Sequence, residues 1–102
     1  MTAGVSVRSE VKIEMSQIVK KNVTVMNKQG LHARPAALFV QLANKFDSAI
    51  TVTKGKEVVN GKSIMGILML AAENGSQLII VAEGDDAPDA VSALEALVGK
   101  DE

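Results

Sequence analysis

The chain holds one histidine, His32, and no cysteine. Chemistry that needs an imidazole therefore falls on a single residue, and thiol chemistry is ruled out. His32 stands in the run Gly30-Leu31-His32-Ala33-Arg34-Pro35-Ala36, directly before a stretch with helical spacing. A neutral imidazole can use one ring nitrogen as nucleophile while the other keeps its proton. The backbone N–H groups that open a helix have no partners inside it, and the helix dipole is positive there, which suits a phosphate. Arg34 adds a permanent cation whose planar donor fork matches phosphate oxygens. These parts suit a phosphoryl group held briefly as a phosphoramidate and passed onward, with positioning and electrostatics doing most of the catalysis. A second role stays open: His32 only caps the helix and Arg34 is solvated. The residue chemistry by itself leans slightly toward that second role.

Ser63 is the other residue of interest. It precedes a helical run, so its hydroxyl fits an N-cap. The same position tolerates added negative charge, as a phosphoserine would bring. One histidine and no cysteine leave no ordinary zinc site, and neither metal nor cofactor is expected. Glu83, Asp85, Asp86 and Asp89 do not have EF-hand spacing and read as a solvated turn with helix-start charges. Lys54, Lys56 and Lys62 read as solubilising charges around a hairpin. There is no glycine-rich nucleotide loop and no nucleophile elbow. The formal net charge is −1, and Phe39 and Phe46 are the only aromatic residues, which argues against a nucleic-acid partner.

The elements that must position these residues follow from hydrophobic periodicity. At 102 residues the chain suits one domain, with an interior filled by aliphatic side chains. Val23 and Val25 alternate with polar neighbours in a strand that ends at Asn27-Lys28-Gln29-Gly30. Pro35 suits a first helical turn, and Ala36, Phe39, Val40, Ala43 and Phe46 mark one helical face. Ala49 to Thr53 and Glu57 to Asn60 form a hairpin around Lys54-Gly55-Lys56. Ser63 starts a helix expected to run to about Glu73, stopped by Asn74-Gly75. Gln77 to Ala82 is an almost continuous apolar run that reads as a central, buried strand. A last helix carries Ala90, Val91, Leu94, Leu97 and Val98, with Gly99 just beyond it. The expected order is strand, helix, strand, strand, helix, strand, helix, with helices on one face of one sheet.

Residues 1–14 alternate apolar and polar side chains and read as an N-terminal extension to a domain at 15–102. They lack the apolar core of a secretory signal, and no apolar run is long enough to span a bilayer. A cytoplasmic protein without membrane insertion is expected.

The run GLHARPAALFVQLANKF, followed by NGKSIMGILML and then NGSQLIIVAEGDDAPDAVSALEAL, resembles the histidine-containing phosphocarrier (HPr) family of the bacterial sugar phosphotransferase system. The resemblance covers about residues 17–98. His32, Arg34 and Pro35 fall on the family's phosphorylation motif, and Ser63 falls on its regulatory serine. Residues 1–14 are the main departure.

The resemblance implies an α+β open-faced β-sandwich of βαββαβα order, a four-stranded antiparallel sheet with three helices on one face. It also implies a relay. Enzyme I, charged by phosphoenolpyruvate, phosphorylates Nδ1 of His32, and the chain passes the group to a histidine of enzyme IIA. Arg34 and the backbone amides of Ala33 and Arg34 steady the phosphoryl group. A serine kinase/phosphorylase is implied for Ser63, whose Ser-Ile-Met-Gly context is closer to members that have one. The helix after Ser63 is apolar almost all round. Ile67, Leu70 and Ala71 are expected to face the core, leaving Ile64, Met65 and Leu68 as a docking patch. The resemblance adds Ala37, Leu38, Gln41 and Asn44 on the first helix to the partner face, and a monomer is expected. The rival reading is a purely regulatory binding module controlled at Ser63, against which the intact His32-Ala33-Arg34-Pro35 run argues.

Overall fold

The computed structural model describes residues 17–100. In chain order its elements are β1 (Gln17–Thr24), α1 (Ala33–Ala43), β2 (Ala49–Lys54), β3 (Glu57–Asn60), α2 (Ile64–Met69), β4 (Gln77–Gly84) and α3 (Ala87–Val98). The alternating segment 1–14 and its boundary at residue 15 lie outside the described residues. The strands form one sheet in the order β1-β4-β2-β3, antiparallel throughout.

The most apolar strand is central, as its sequence suggests, with Val23 of β1 opposite Leu78 and Val52 of β2 opposite Ile80. Only one of its faces is fully covered. Leu78, Ile80 and Ala82 are buried under the helices, whereas Ile79 and Val81 on the open face are half-buried. α1 buries Ala36, Phe39, Val40 and Ala43, and α3 buries Ala87, Ala90, Val91, Leu94 and Val98. Each set recurs at three- or four-residue spacing, so each helix turns one stripe to the sheet. Phe46, expected on the same face of α1, lies past the helix end, where it packs half-buried against the core.

α2 departs from expectation. It stops at Met69 rather than near Glu73, and Ala71 adopts a left-handed φ of 49°. The reason lies across the fold: the carbonyl of Ala72 accepts from the N–H of Leu31 at 2.8 Å. A helix running through residue 73 would direct that carbonyl along its own axis. Asn74-Gly75 is accordingly not a helix stop. It is a turn sewn to the end of β1, with the Gly75 N–H donating to Val25 O at 2.8 Å and Asn74 Nδ2 donating to the carbonyls of Met26 and Asn27, each at 3.2 Å. Ala71, expected on the core face, is exposed.

Two charged residues that the sequence pattern places in solvent have structural partners. Lys62 Nζ donates to the carbonyl of Phe46 at 2.7 Å. Asp86, at the start of α3, ties down the loop between α1 and β2: its carboxylate accepts from the Asp47 N–H at 2.8 Å, from the Ser48 N–H at 3.0 Å and from the Ser48 hydroxyl. Ser48 is fully buried. Gly84 leaves room for it, since a Cβ there would lie 2.6 Å from Ser48 Oγ. The Ser48 hydroxyl first, then the Asp47 amide, hold the Asp86 carboxyl below its ordinary pKa, against a smaller opposing push from desolvation. A carboxyl depressed in the folded state adds stability above its unfolded-state pKa and loses it as pH falls through the folded-state value. Asp86→Asn should therefore lower the urea midpoint at neutral pH. The gap to wild type should close in acid, once the native carboxyl is protonated. A gap that keeps its size across that range would contradict the assignment.

Candidate functional site

The loop before α1 is built by its turn residues. Asn27 Oδ1 accepts from the Gln29 N–H at 2.8 Å, and Asn27 O accepts from the Gly30 N–H at 3.0 Å. Gly30 has φ +74°, and a Cβ on it would strike the carbonyl oxygen of Ala72 and lie 2.9 Å from Cα of Glu73. Only glycine combines that conformation with that approach. Leu31 is buried beside it as an anchor.

His32 follows in the N-cap position of α1 with extended backbone, φ −86° and ψ −166°, and its ring makes no capping hydrogen bond. The side chain is exposed. Its carbonyl accepts from the Ala36 N–H at 2.9 Å. Pro35 has no N–H to satisfy, so its place in the first turn costs no hydrogen bond. Among the described residues nothing accepts from the amides of Ala33 or Arg34. The first turn carries no acidic side chain, so a dianion arriving there meets two open donors and the Arg34 guanidinium with no carboxylate contributed by the helix itself. The alternative in which the imidazole serves as a helix cap lacks the hydrogen bond that would define it.

His32 lies between two depressions. One, of about 420 Å³, is lined by His32, Arg34, Pro35, Leu38 and Phe39 together with Lys28 from the turn and Leu97, Val98 and Lys100 from the end of α3. The other, of about 370 Å³, is lined by His32 and Ala33 with Leu68, Ala71, Ala72 and Glu73. Lys28 and Lys100 were not marked by sequence. Lys28 carries a weak signal, its place in the turn before His32, whereas only the tertiary fold brings Lys100 there.

Ser63 caps α2, accepting from the Gly66 N–H at 3.1 Å. The outer face of α2 exposes Met65 and Met69, each 66% exposed, and Ile64 at 42%. Leu68, expected there, is half-buried against the core, and Met69 takes its place on the surface. On α1, Leu38, Gln41 and Asn44 are exposed and Ala37 is half-buried. Leu38 turns toward the larger depression, while Asn44 Nδ2 donates back to Val40 O at 2.9 Å.

The phosphorylation-site model of the phosphotransferase-system HPr component matches residues 19–100. The phosphocarrier protein HPr of Treponema pallidum is 51% identical over 80 residues, 78% of this chain and 91% of that protein. The HPr-like protein Crh of Halalkalibacterium halodurans is 49% identical over 84 residues, 82% of this chain and all of that protein. The crystal structure of HPr from Bacillus anthracis superposes with a TM-score of 0.77 at 53% identity, covering 79% of this chain and 96% of that one. With this sheet, these helices and this match, the chain belongs to the HPr family of phosphocarrier proteins. Its broad role is that of a phosphotransferase-system phosphocarrier. Among the described residues no helix is long and apolar enough to cross a membrane.

If the contact between the His32 loop and the residues after α2 sets the geometry, substitutions on its two sides should act in opposite directions. Gly30→Ala should cost about 2 kcal/mol or more from the left-handed backbone and the collision. Ala71→Gly should gain up to about 1 kcal/mol by relieving its positive φ. Urea denaturation of both variants measures this, and an equally stable Gly30→Ala would contradict it.

Proposed function

We propose that the chain accepts a phosphoryl group on Nδ1 of His32 from phosphoenolpyruvate-charged enzyme I and donates it to a histidine of enzyme IIA in sugar transport. The observation that carries this reading is the exposed imidazole beside two unpaired amides and Arg34, at the start of a helix. In each step the P–N bond to the donor imidazole breaks as a new P–N bond forms to the acceptor. Ala33 and Arg34 amides hold the transferred oxygens, and the Arg34 guanidinium offsets their charge. The group must leave again, so an open site serves better than a closed one. The chain is a protein substrate of the relay rather than an enzyme, and the cytoplasm is the compartment of that relay. Residues 15–102 make up the carrier domain, with residues 1–14 appended. A sheet completed within one chain supports a monomer, although Crh of Bacillus subtilis, 46% identical, crystallised as a dimer with a swapped domain.

Docking would fall on Ala37, Leu38, Gln41 and Asn44 of α1 and on Ile64, Met65 and Leu68 of α2, with Met69 added from its exposure. Ser63, next to this patch, is the regulatory position. A serine kinase/phosphorylase would add a dianion whose oxygens can take over the hydrogen bond from Gly66, leaving the helix intact while opposing docking by charge and desolvation. The Crh relatives favour a second reading, a regulatory binding module switched at Ser63. The first is preferred because His32 and Arg34 are both in place.

With enzyme I and phosphoenolpyruvate, the chain should acquire acid-labile phosphate that is absent from His32→Ala. Arg34→Gln should slow transfer about a hundredfold, the scale of losing one charge-stabilising donor. Label that survives His32→Ala would refute the site. With kinase and ATP, the label should be acid-stable and absent from Ser63→Ala, and that phosphoserine form should accept from enzyme I more slowly. Equal acceptance rates with and without phosphoserine would exclude the regulatory role. Ser63→Ala should also cost about 1 kcal/mol of stability through the lost cap.

A further inference from the structure

The larger depression beside His32 has an uneven charge. Among the described residues its charged lining is Lys28, Arg34 and Lys100, with no carboxylate, in a chain whose formal net charge is −1. Its floor is apolar, with Phe39 buried and Leu97 half-buried. Arg34 belongs to the phosphoryl site already described, whereas Lys28 and Lys100 stand outside it. A transferred phosphoryl group is served by the helix-end amides and Arg34, so the two lysines are left to act on something larger. His32 lines both depressions, so a protein that reaches its imidazole also covers part of this rim.

We propose that this cavity docks an acidic surface segment of the phosphodonor protein, with carboxylates against Lys28 and Lys100 and an apolar side chain over Leu38 and Leu97. The proposal rests on the carrier reading and adds a second contact region on the α3 side of His32. Rim cations attract an acidic partner over distances comparable to the Debye length, so their contribution appears in the association step and fades with salt.

The test uses the full chain with enzyme I and phosphoenolpyruvate at low and at high ionic strength. The double variant Lys28→Gln/Lys100→Gln should lower kcat/KM about tenfold at low salt, through KM with kcat kept, and the gap should close at high salt. Lys54→Gln/Lys56→Gln removes the same charge from the distant hairpin and should change little. Thermal unfolding of both variants controls for folding, since Lys28, Lys56 and Lys100 are exposed and Lys54 is half-exposed. A cavity variant that behaves like the hairpin variant, or a loss unaffected by salt, overturns the cavity proposal alone. A wild-type chain that takes no label overturns the carrier reading, and this proposal with it.

Discussion

The hydrogen bond from the Leu31 amide to the Ala72 carbonyl, 2.8 Å long, decides where the reactive loop can lie. Gly30 packs against the same carbonyl with a left-handed φ of +74°, and Leu31 is buried. With those two residues fixed, His32 has one way forward, an extended step into α1. The cost is borne on the opposite side of the contact. α2 is cut to six residues, and Ala71 takes a backbone conformation that costs a non-glycine residue about 1–2 kcal/mol. The asparagine turn at residue 74 and the end of β1 close the frame around this contact.

Such a frame suits a group that must be gained and lost repeatedly. Donors that are ordered before phosphate arrives need no reorganisation when it does. Donors left open to water do not trap the product. On the proposed reading, the site gets its chemistry from backbone geometry and one arginine rather than from an enclosed pocket. The same economy governs the rest of the chain: the interior is aliphatic apart from Phe39, and Ser48 is the only buried polar side chain among the described residues, with Asp86 as its partner.

Much of this was legible from residue spacing. The stripes of α1 and α3, the hairpin at Gly55 and the central place of β4 follow from local periodicity. The placement of His32 at a helix start followed from Pro35 and Ala36, and the family resemblance supplied the role. Misreadings arose wherever a distant partner outweighed a local preference. Good helix formers at 70–73 did not extend α2, because the Ala72 carbonyl is drawn to Leu31. Asp86 and Lys62 looked like solvent charges because Ser48 and Phe46, their partners, lie 38 and 16 residues away in sequence. Leu68, expected at the surface, packs half-buried against the core beside the buried Ile67, and Met69 is exposed.

The central claim is that the amides of Ala33 and Arg34 stand ready for a phosphoryl group on Nδ1 of His32. Amide-resolved NMR of the ¹⁵N-labelled chain, recorded before and after enzymatic phosphorylation, reports on both parts of that claim. The account predicts that the Ala33 and Arg34 N–H resonances move furthest, in the direction of stronger hydrogen bonding, while the imidazole signals report substitution at Nδ1. Phosphate on Nε2, or unmoved Ala33 and Arg34 amides in a fully phosphorylated chain, would contradict it.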